Sequence, residues 1–300
     1  MKENTRWNWH EPRLLDRGHA FCAGCGGVLA LRHVLRALGE DTIAVITAGC
    51  VGTNSGVFPS SPIRVACYNT PFPSLAAAAS GVRAALNARR NDHTRVLAVG
   101  GDGGTFDIGL QGLSAAAERN DDFVLLCYDN EAYMNTGIQR SSATPQGAWT
   151  TITPQGNLKG QPKKNLTRII MAHNVPYVAT ASVGYPEDLI AKAHKAAEIR
   201  GFRFLHVISP CPPGWGFSPQ HTIRLARLAV RTRIFPLFEV FGGERIMLSM
   251  DPEPVPVVEY LRMQNRFQYI SEEDIQQIQR TADRAWQRLA KEADRTAQPA

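Results

Sequence analysis

Residues 95–109 read RVLAVGGDGGTFDIG, and residues 123–137 read FVLLCYDNEAYMNTG. Each is a short apolar run that ends abruptly in glycine, acidic and amide residues. A run without polar alternation is what a strand covered on both faces requires. Its polar end then falls at the carboxyl edge of the sheet, where doubly wound folds bind their ligands.

The same alternation extends outward. The spacing of apolar residues predicts helices over 30–38, 75–88, 108–119, 166–173 and 187–199, and strands over 42–47, 95–99, 123–128, 177–182 and 202–209. Strands that alternate with helices imply a doubly wound α/β fold with a mostly parallel sheet. The polar stretch 136–164, with Pro145, Pro154 and Pro162, is long for a connection inside a compact domain, which marks it as functional or mobile. After Pro210 the pattern loosens. Residues 1–240 are read as the ligand-binding domain and 241–300 as a C-terminal extension. Its apolar positions Ile275, Ile278, Ala282, Trp286, Leu289 and Ala293 recur at helical spacing over 271–294, with Ser271 and Asp274 set for a capping box. That helix packs either on its own domain or on a partner subunit.

Gly101, Gly103 and Gly104 let the chain turn sharply beside a ligand, and the helix that follows aims free N–H groups at the same place. Asp102 repels phosphate unless a cation intervenes. Mg²⁺ takes oxygen ligands in octahedral geometry. The Asp102 carboxylate, the Asn130 side-chain carbonyl and the backbone carbonyl of Ala132 supply three, and a diphosphate the rest. This pairing points to thiamine diphosphate. The segment does not form G-x-G-x-x-G, so a dinucleotide fold is rejected.

Six cysteines are present. Cys22 and Cys25 form Cys-Ala-Gly-Cys, while Cys50 and Cys211 each follow a strand. Four such thiolates suit a [4Fe–4S] cluster or structural zinc, and a redox-active Cys-x-x-Cys ranks behind both. One close pair with two distant single cysteines favours the cluster. Cys127 and Cys67 read as structural, and His19 as locally hydrogen-bonded.

The chain has 300 residues and a net charge of +6, with its basic residues scattered rather than interleaved with aromatics. Nucleic-acid binding is therefore disfavoured, and an acidic protein partner fits. No apolar stretch reaches membrane-spanning length, and the first seventeen residues lack the apolar core of a signal peptide. A reducing cytoplasm is expected. Lys159, Lys163 and Lys164 make 156–165 a basic loop, solvated or docking the phosphates of a ligand or an acidic partner subunit.

From about Gly18 to Phe267 the chain resembles the beta subunit of 2-oxoacid:ferredoxin oxidoreductases of the pyruvate synthase type. The resemblance rests on Cys22-Ala-Gly-Cys25, on GGDGGTFDIG at 100–109 and on YDNEAYMNTGIQRSSATP at 128–145. It implies the thiamine diphosphate-binding fold. It implies that Cys22, Cys25, Cys50 and Cys211 ligate a [4Fe–4S] cluster, and that Asp102, Asn130 and the Ala132 carbonyl hold Mg²⁺. Gly103, Asn135 and Thr136 match positions around the diphosphate and the reacting ring, with Asn135 catalytic. The implied reaction is CoA-dependent oxidative decarboxylation of a 2-oxoacid, with electrons leaving through the cluster. An alpha subunit would complete the thiamine site, alongside gamma and ferredoxin-like delta subunits and ferredoxin or another acceptor. A non-redox thiamine decarboxylase, which needs no cysteine quartet, and a zinc-stabilised interaction module, which leaves Asp102 and Asn130 unexplained, are the rivals. Members of the pyruvate type carry bulkier, acidic residues after the third cysteine, where this chain has Val51-Gly-Thr-Asn-Ser-Gly56. Smaller side chains there bring an aromatic acid such as phenylglyoxylate alongside pyruvate.

Overall fold

A computed structural model describes residues 13–56 and 59–297. The signal-peptide reading falls largely outside these residues. The elements run, in chain order, α1 (Gly26–Leu38), β1 (Thr42–Thr47), α2 (Cys50–Asn54), β2 (Ala66–Thr70), α3 (Leu75–Ala88), β3 (Arg95–Gly101), α4 (Leu110–Glu118) and β4 (Phe123–Asp129). There follow α5 (Leu166–Met171), β5 (Tyr177–Ser182), α6 (Pro186–Glu198), β6 (Phe202–Ile208), α7 (Pro212–Trp215), α8 (Thr222–Arg231), β7 (Phe238–Phe241), β8 (Arg245–Leu248), α9 (Val257–Leu261) and α10 (Glu272–Ala297).

The described strands form one eight-stranded sheet in the order β2-β1-β3-β4-β6-β5-β7-β8. The first six are parallel, while β7 and β8 add antiparallel. Alternate residues of each central strand feed two different cores. Ile46, Leu97, Val99, Val124 and Leu126 pack under α1 and α6. Val45, Val96, Ala98, Leu125 and Cys127 pack under α3, α4 and α5 on the other face. This two-sided burial is why these strands read as unbroken apolar runs. Strand order reverses between β1 and β3, which opens a crevice at their carboxyl ends.

The two-stranded addition β7–β8 was not legible in the sequence, and neither was the edge strand β2. Residue 240 lies within β7. Helix α10 packs on its own chain, burying Ile275, Ala282, Trp286, Leu289 and Ala293. Ser271 Oγ accepts the Asp274 N–H at 3.0 Å at its start, and Arg168 pairs with Glu292 along its side. No helix among the described residues is long and apolar enough to cross a membrane.

Candidate cofactor and cluster site

Four adjacent strands, β1, β3, β4 and β6, end in Cys50, Asp102, Asn130 and the segment leading to Cys211. The expected helix after the glycines begins earlier than its apolar spacing indicates. Gly103–Asp107 already forms a wide helical turn, closed by the Ile108 N–H on the Gly103 carbonyl at 3.3 Å. Wide turns of this kind recur at functional sites. Gly103 is required there, because a Cβ would lie 2.4 Å from the Tyr133 ring. Tyr133 is held in place by stacking on Phe72, at 5.8 Å between centroids, and by its hydroxyl, which donates to Asp107 at 3.2 Å. Gly103→Ala is expected to displace this ring and weaken thiamine diphosphate binding about tenfold, since overpacking costs about 1–3 kcal/mol. Titration of the cofactor into the metal-loaded complex measures it.

Asp102 is completely buried. Ser141, from the long polar stretch, donates to its Oδ2 at 2.5 Å. Burial, and then the neighbouring Asp129, push the Asp102 carboxyl well above the usual range. Lys163, paired with Asp129, offsets this only in part. The Asn130 carboxamide lies 2.8 Å from Asp102 Oδ1 and 3.0 Å from the Ala132 carbonyl oxygen. Its amide nitrogen donates to both, which holds the three groups together. A carboxylate, a side-chain amide and a main-chain carbonyl thus meet at the ends of β3 and β4, the all-oxygen donor chemistry that Mg²⁺ takes. The donor set therefore fits Mg²⁺.

Asn135 and Thr136 are exposed beyond this cluster. Asn135 Nδ2 donates to Thr53 Oγ1 at 3.2 Å. Thr53 also lines a cavity of about 300 Å³, with Ala48, Gly52, Asn69, Thr70 and Pro71. Of the segment after Cys50, Val51 is buried in the core and does not face this cavity. Gly52 is small for a packing reason, since a Cβ would lie 2.5 Å from the Thr47 carbonyl oxygen. Thr53 is the side chain that borders Asn135.

Cys25 caps α1, Cys50 opens α2 and Cys211 caps α7, with Cys22 in the turn before Cys25. Gly26 makes this approach possible, because a Cβ would stand 2.7 Å from the Pro210 nitrogen. Burial first, then Cys25 and Cys22, push the Cys50 thiol up to about 12. Burial, then Cys25, Cys50 and Cys22, do the same to Cys211. The four cysteines thus share one electrostatic neighbourhood. Among the described residues no three His, Cys, Asp or Glu side chains close on one point as a single ion requires.

Tyr128, buried, stands between the two centres. Its ring would meet a Cβ placed on Gly101 at 3.2 Å and one on Gly27 at 3.1 Å, and its hydroxyl accepts the Val51 N–H at 3.4 Å. Neither Tyr128 nor Ser141 was singled out from sequence, since nothing local distinguishes them from core or loop residues. Other readings change. Cys67 is exposed on β2 rather than structural. His19 packs edge-on to Phe21 at 5.1 Å, and its buried Nδ1 lacks the expected hydrogen bond. Cys127 is a core residue as read, beside Thr105 Oγ1 at 3.1 Å. The basic loop turns inward. Lys159 donates to the carbonyls of Ser142, Thr144 and Pro162, Lys163 pairs with Asp129 and Glu131, and Lys164 donates to the Phe106 carbonyl. These ammonium groups satisfy internal acceptors rather than standing free in solvent.

Residues 60–207 match the thiamine pyrophosphate enzyme C-terminal TPP-binding domain, so the fold and the glycine-acidic turn define a thiamine-enzyme subunit. The chain is 47% identical over 287 residues to the ketoisovalerate oxidoreductase subunit VorB of Pyrococcus furiosus, covering 92% of each chain. It is 46% identical over 276 residues to the pyruvate synthase subunit PorB of Methanocaldococcus jannaschii, covering 89% of this chain and 93% of that one. It belongs to this family of beta subunits of 2-oxoacid:ferredoxin oxidoreductases. A 2-oxoglutarate:ferredoxin oxidoreductase from Magnetococcus marinus, solved with 2-oxoglutarate, coenzyme A and succinyl-CoA bound, shares the fold. Its TM-score is 0.57 at 22% identity, over 69% of this chain and 76% of that chain.

Proposed function

We propose that this subunit holds thiamine diphosphate through Mg²⁺ on Asp102, Asn130 and the Ala132 carbonyl, and a [4Fe–4S] cluster on Cys22, Cys25, Cys50 and Cys211. With an alpha subunit it would carry out CoA-dependent oxidative decarboxylation of a 2-oxoacid. The observation that carries the reading is the placement of Asp102, Asn130 and the Ala132 carbonyl within hydrogen-bond distance at the ends of β3 and β4, with Tyr128 packed between them and the cysteine-bearing turns. When bound, thiamine diphosphate supplies the carbanion chemistry of decarboxylation. The protein supplies the rest. Asp102 and Asn130 would hold the cation whose charge offsets the diphosphate, and the Gly103 turn would let the backbone approach it. Asn135, held by Thr53, presents its amide to the substrate. The N-terminus of α1 at Cys25 would favour an anionic cluster.

The exposure of Asn135 and Thr136, together with the exposed residues of β2, leaves the site open on one side. That is where an alpha subunit would close it, with gamma and ferredoxin-like delta subunits and ferredoxin or another acceptor taking the electrons. The expected setting is the cytoplasm.

Pyruvate is the favoured substrate. Similarity alone does not decide, because subunits named for pyruvate and for ketoisovalerate stand at 46% and 47% identity. Thr53 on the cavity wall keeps phenylglyoxylate as the second reading. The test is an anaerobic assay of the complex purified through this subunit, with coenzyme A and viologen. The highest kcat/KM with pyruvate supports the proposal, whereas turnover of phenylglyoxylate alone overturns the pyruvate reading.

A further inference from the structure

The metal-binding turn contains a residue that no step of the proposed chemistry uses. Glu131 lies between the two groups assigned to Mg²⁺, Asn130 and the Ala132 carbonyl, and its backbone is left-handed at φ 68°. Residues other than glycine rarely adopt this conformation unless their surroundings enforce it. Here every polar group of Glu131 is engaged. Its N–H donates to Asp129 Oδ1 at 3.1 Å, and its carbonyl accepts Thr144 Oγ1 at 2.7 Å. Its carboxylate, 2% exposed, takes Lys163 at 2.7 Å and Arg266 at 2.5 Å.

Both cations come from regions distant in sequence. Lys163 is carried by the long polar stretch, and its ammonium reaches between Asp129 and Glu131. Arg266 lies in the turn after α9, stacked 4.0 Å from the Trp215 ring centroid. Trp215 in turn donates from Nε1 to the Asn130 carbonyl at 2.7 Å. Arg266 is aimed by Gln264 Oε1 at 2.8 Å, and its carbonyl accepts the Trp149 N–H at 2.7 Å. One Arg–Trp pair thereby grips two consecutive residues of the metal turn from the C-terminal part of the chain.

We propose that Lys163 and Arg266 are positioning residues. By holding the Glu131 carboxylate they hold the left-handed turn, and so aim the Asn130 side chain and the Ala132 carbonyl at the metal. This rests on the metal site proposed above. It assigns a role to the 156–165 stretch and to the Arg266 turn, as an internal brace for the cofactor site. Groups that orient metal ligands from behind typically contribute about 10–100-fold to metal affinity.

The test uses the intact complex stripped of metal and cofactor, and follows the Mg²⁺ dependence of thiamine diphosphate binding by calorimetry. Asp102→Asn serves as control. If the wild type needs no Mg²⁺, or Asp102→Asn leaves its dependence unchanged, the metal site itself is wrong. If that control behaves, Arg266→Met and Lys163→Met are each expected to raise the Mg²⁺ half-saturation concentration at least about tenfold. Asparagine tolerates the left-handed region and leaves no buried charge. The double variant Glu131→Asn with Arg266→Met is therefore expected to recover most of the loss. Should Arg266→Met not assemble, Arg266→Lys poses the same question, because it keeps the charge and loses the planar fork. Mg²⁺ half-saturation within about twofold of wild type in the assembled variants, or no recovery in the double variant, overturns the proposal.

Discussion

Asp102→Asn is expected to weaken Mg²⁺-dependent binding of thiamine diphosphate by about 10²–10³-fold and to abolish 2-oxoacid oxidation by the complex. The size follows from removing one partner of a buried charge pair, about 3–5 kcal/mol. The expected effect on the metal-free chain has the opposite sign. Asp102 is buried beside Asp129, and its carboxyl is pushed upward by burial and by that neighbour. Asparagine relieves this penalty while keeping the shape, so the metal-free variant should melt no lower than the wild type. A structural residue would lose binding and stability together. Melting curves with and without Mg²⁺, alongside cofactor titration, separate the two cases. A variant that melts lower in both conditions would return Asp102 to an ordinary packing role.

Cys50→Ala is expected to remove the brown chromophore of one cluster and to stop electron transfer to viologen. Cys50 lies at the end of β1, next to β3 in the sheet, yet its sulfur is no part of the Asp102 cluster. Thiamine diphosphate binding should therefore persist. Iron analysis, the visible spectrum and cofactor titration on one preparation read all three. Loss of zinc with unfolding would instead identify a structural metal. Retained iron and reduction would take Cys50 out of the cluster. Retained decarboxylation in a wild-type protein without iron would favour the non-redox thiamine enzyme.

The central strands were legible because burial on both faces leaves a simple mark. Runs such as Val96–Val99 and Phe123–Tyr128 carry no polar alternation, and the structure places β3 and β4 there with ends shifted by one or two residues. Helix α3 coincides with the 75–88 reading for a similar reason, its alanines packing against the sheet. The short elements were not legible. β2 is an exposed edge strand, and β7 and β8 span four residues each, too short for a period to emerge.

Within the candidate site, the sequence by itself determined the residue types that the chemistry needs. Glycines flank Asp102, an asparagine follows the next strand, and cysteines sit beside turns. These are local properties, because each depends on a strand ending where the polar residues begin. Tertiary structure decided which groups meet. Only the strand order places Cys50, Asp102, Asn130 and the Cys211 segment at neighbouring ends. Only long-range packing turns Lys159, Lys163 and Lys164 inward from a stretch whose composition reads as a solvated basic loop. It likewise brings Arg266 onto Glu131 across 135 positions of chain. A charged side chain looks the same in sequence whether it meets water or a buried carboxylate. The partner that decides between them is supplied by the fold.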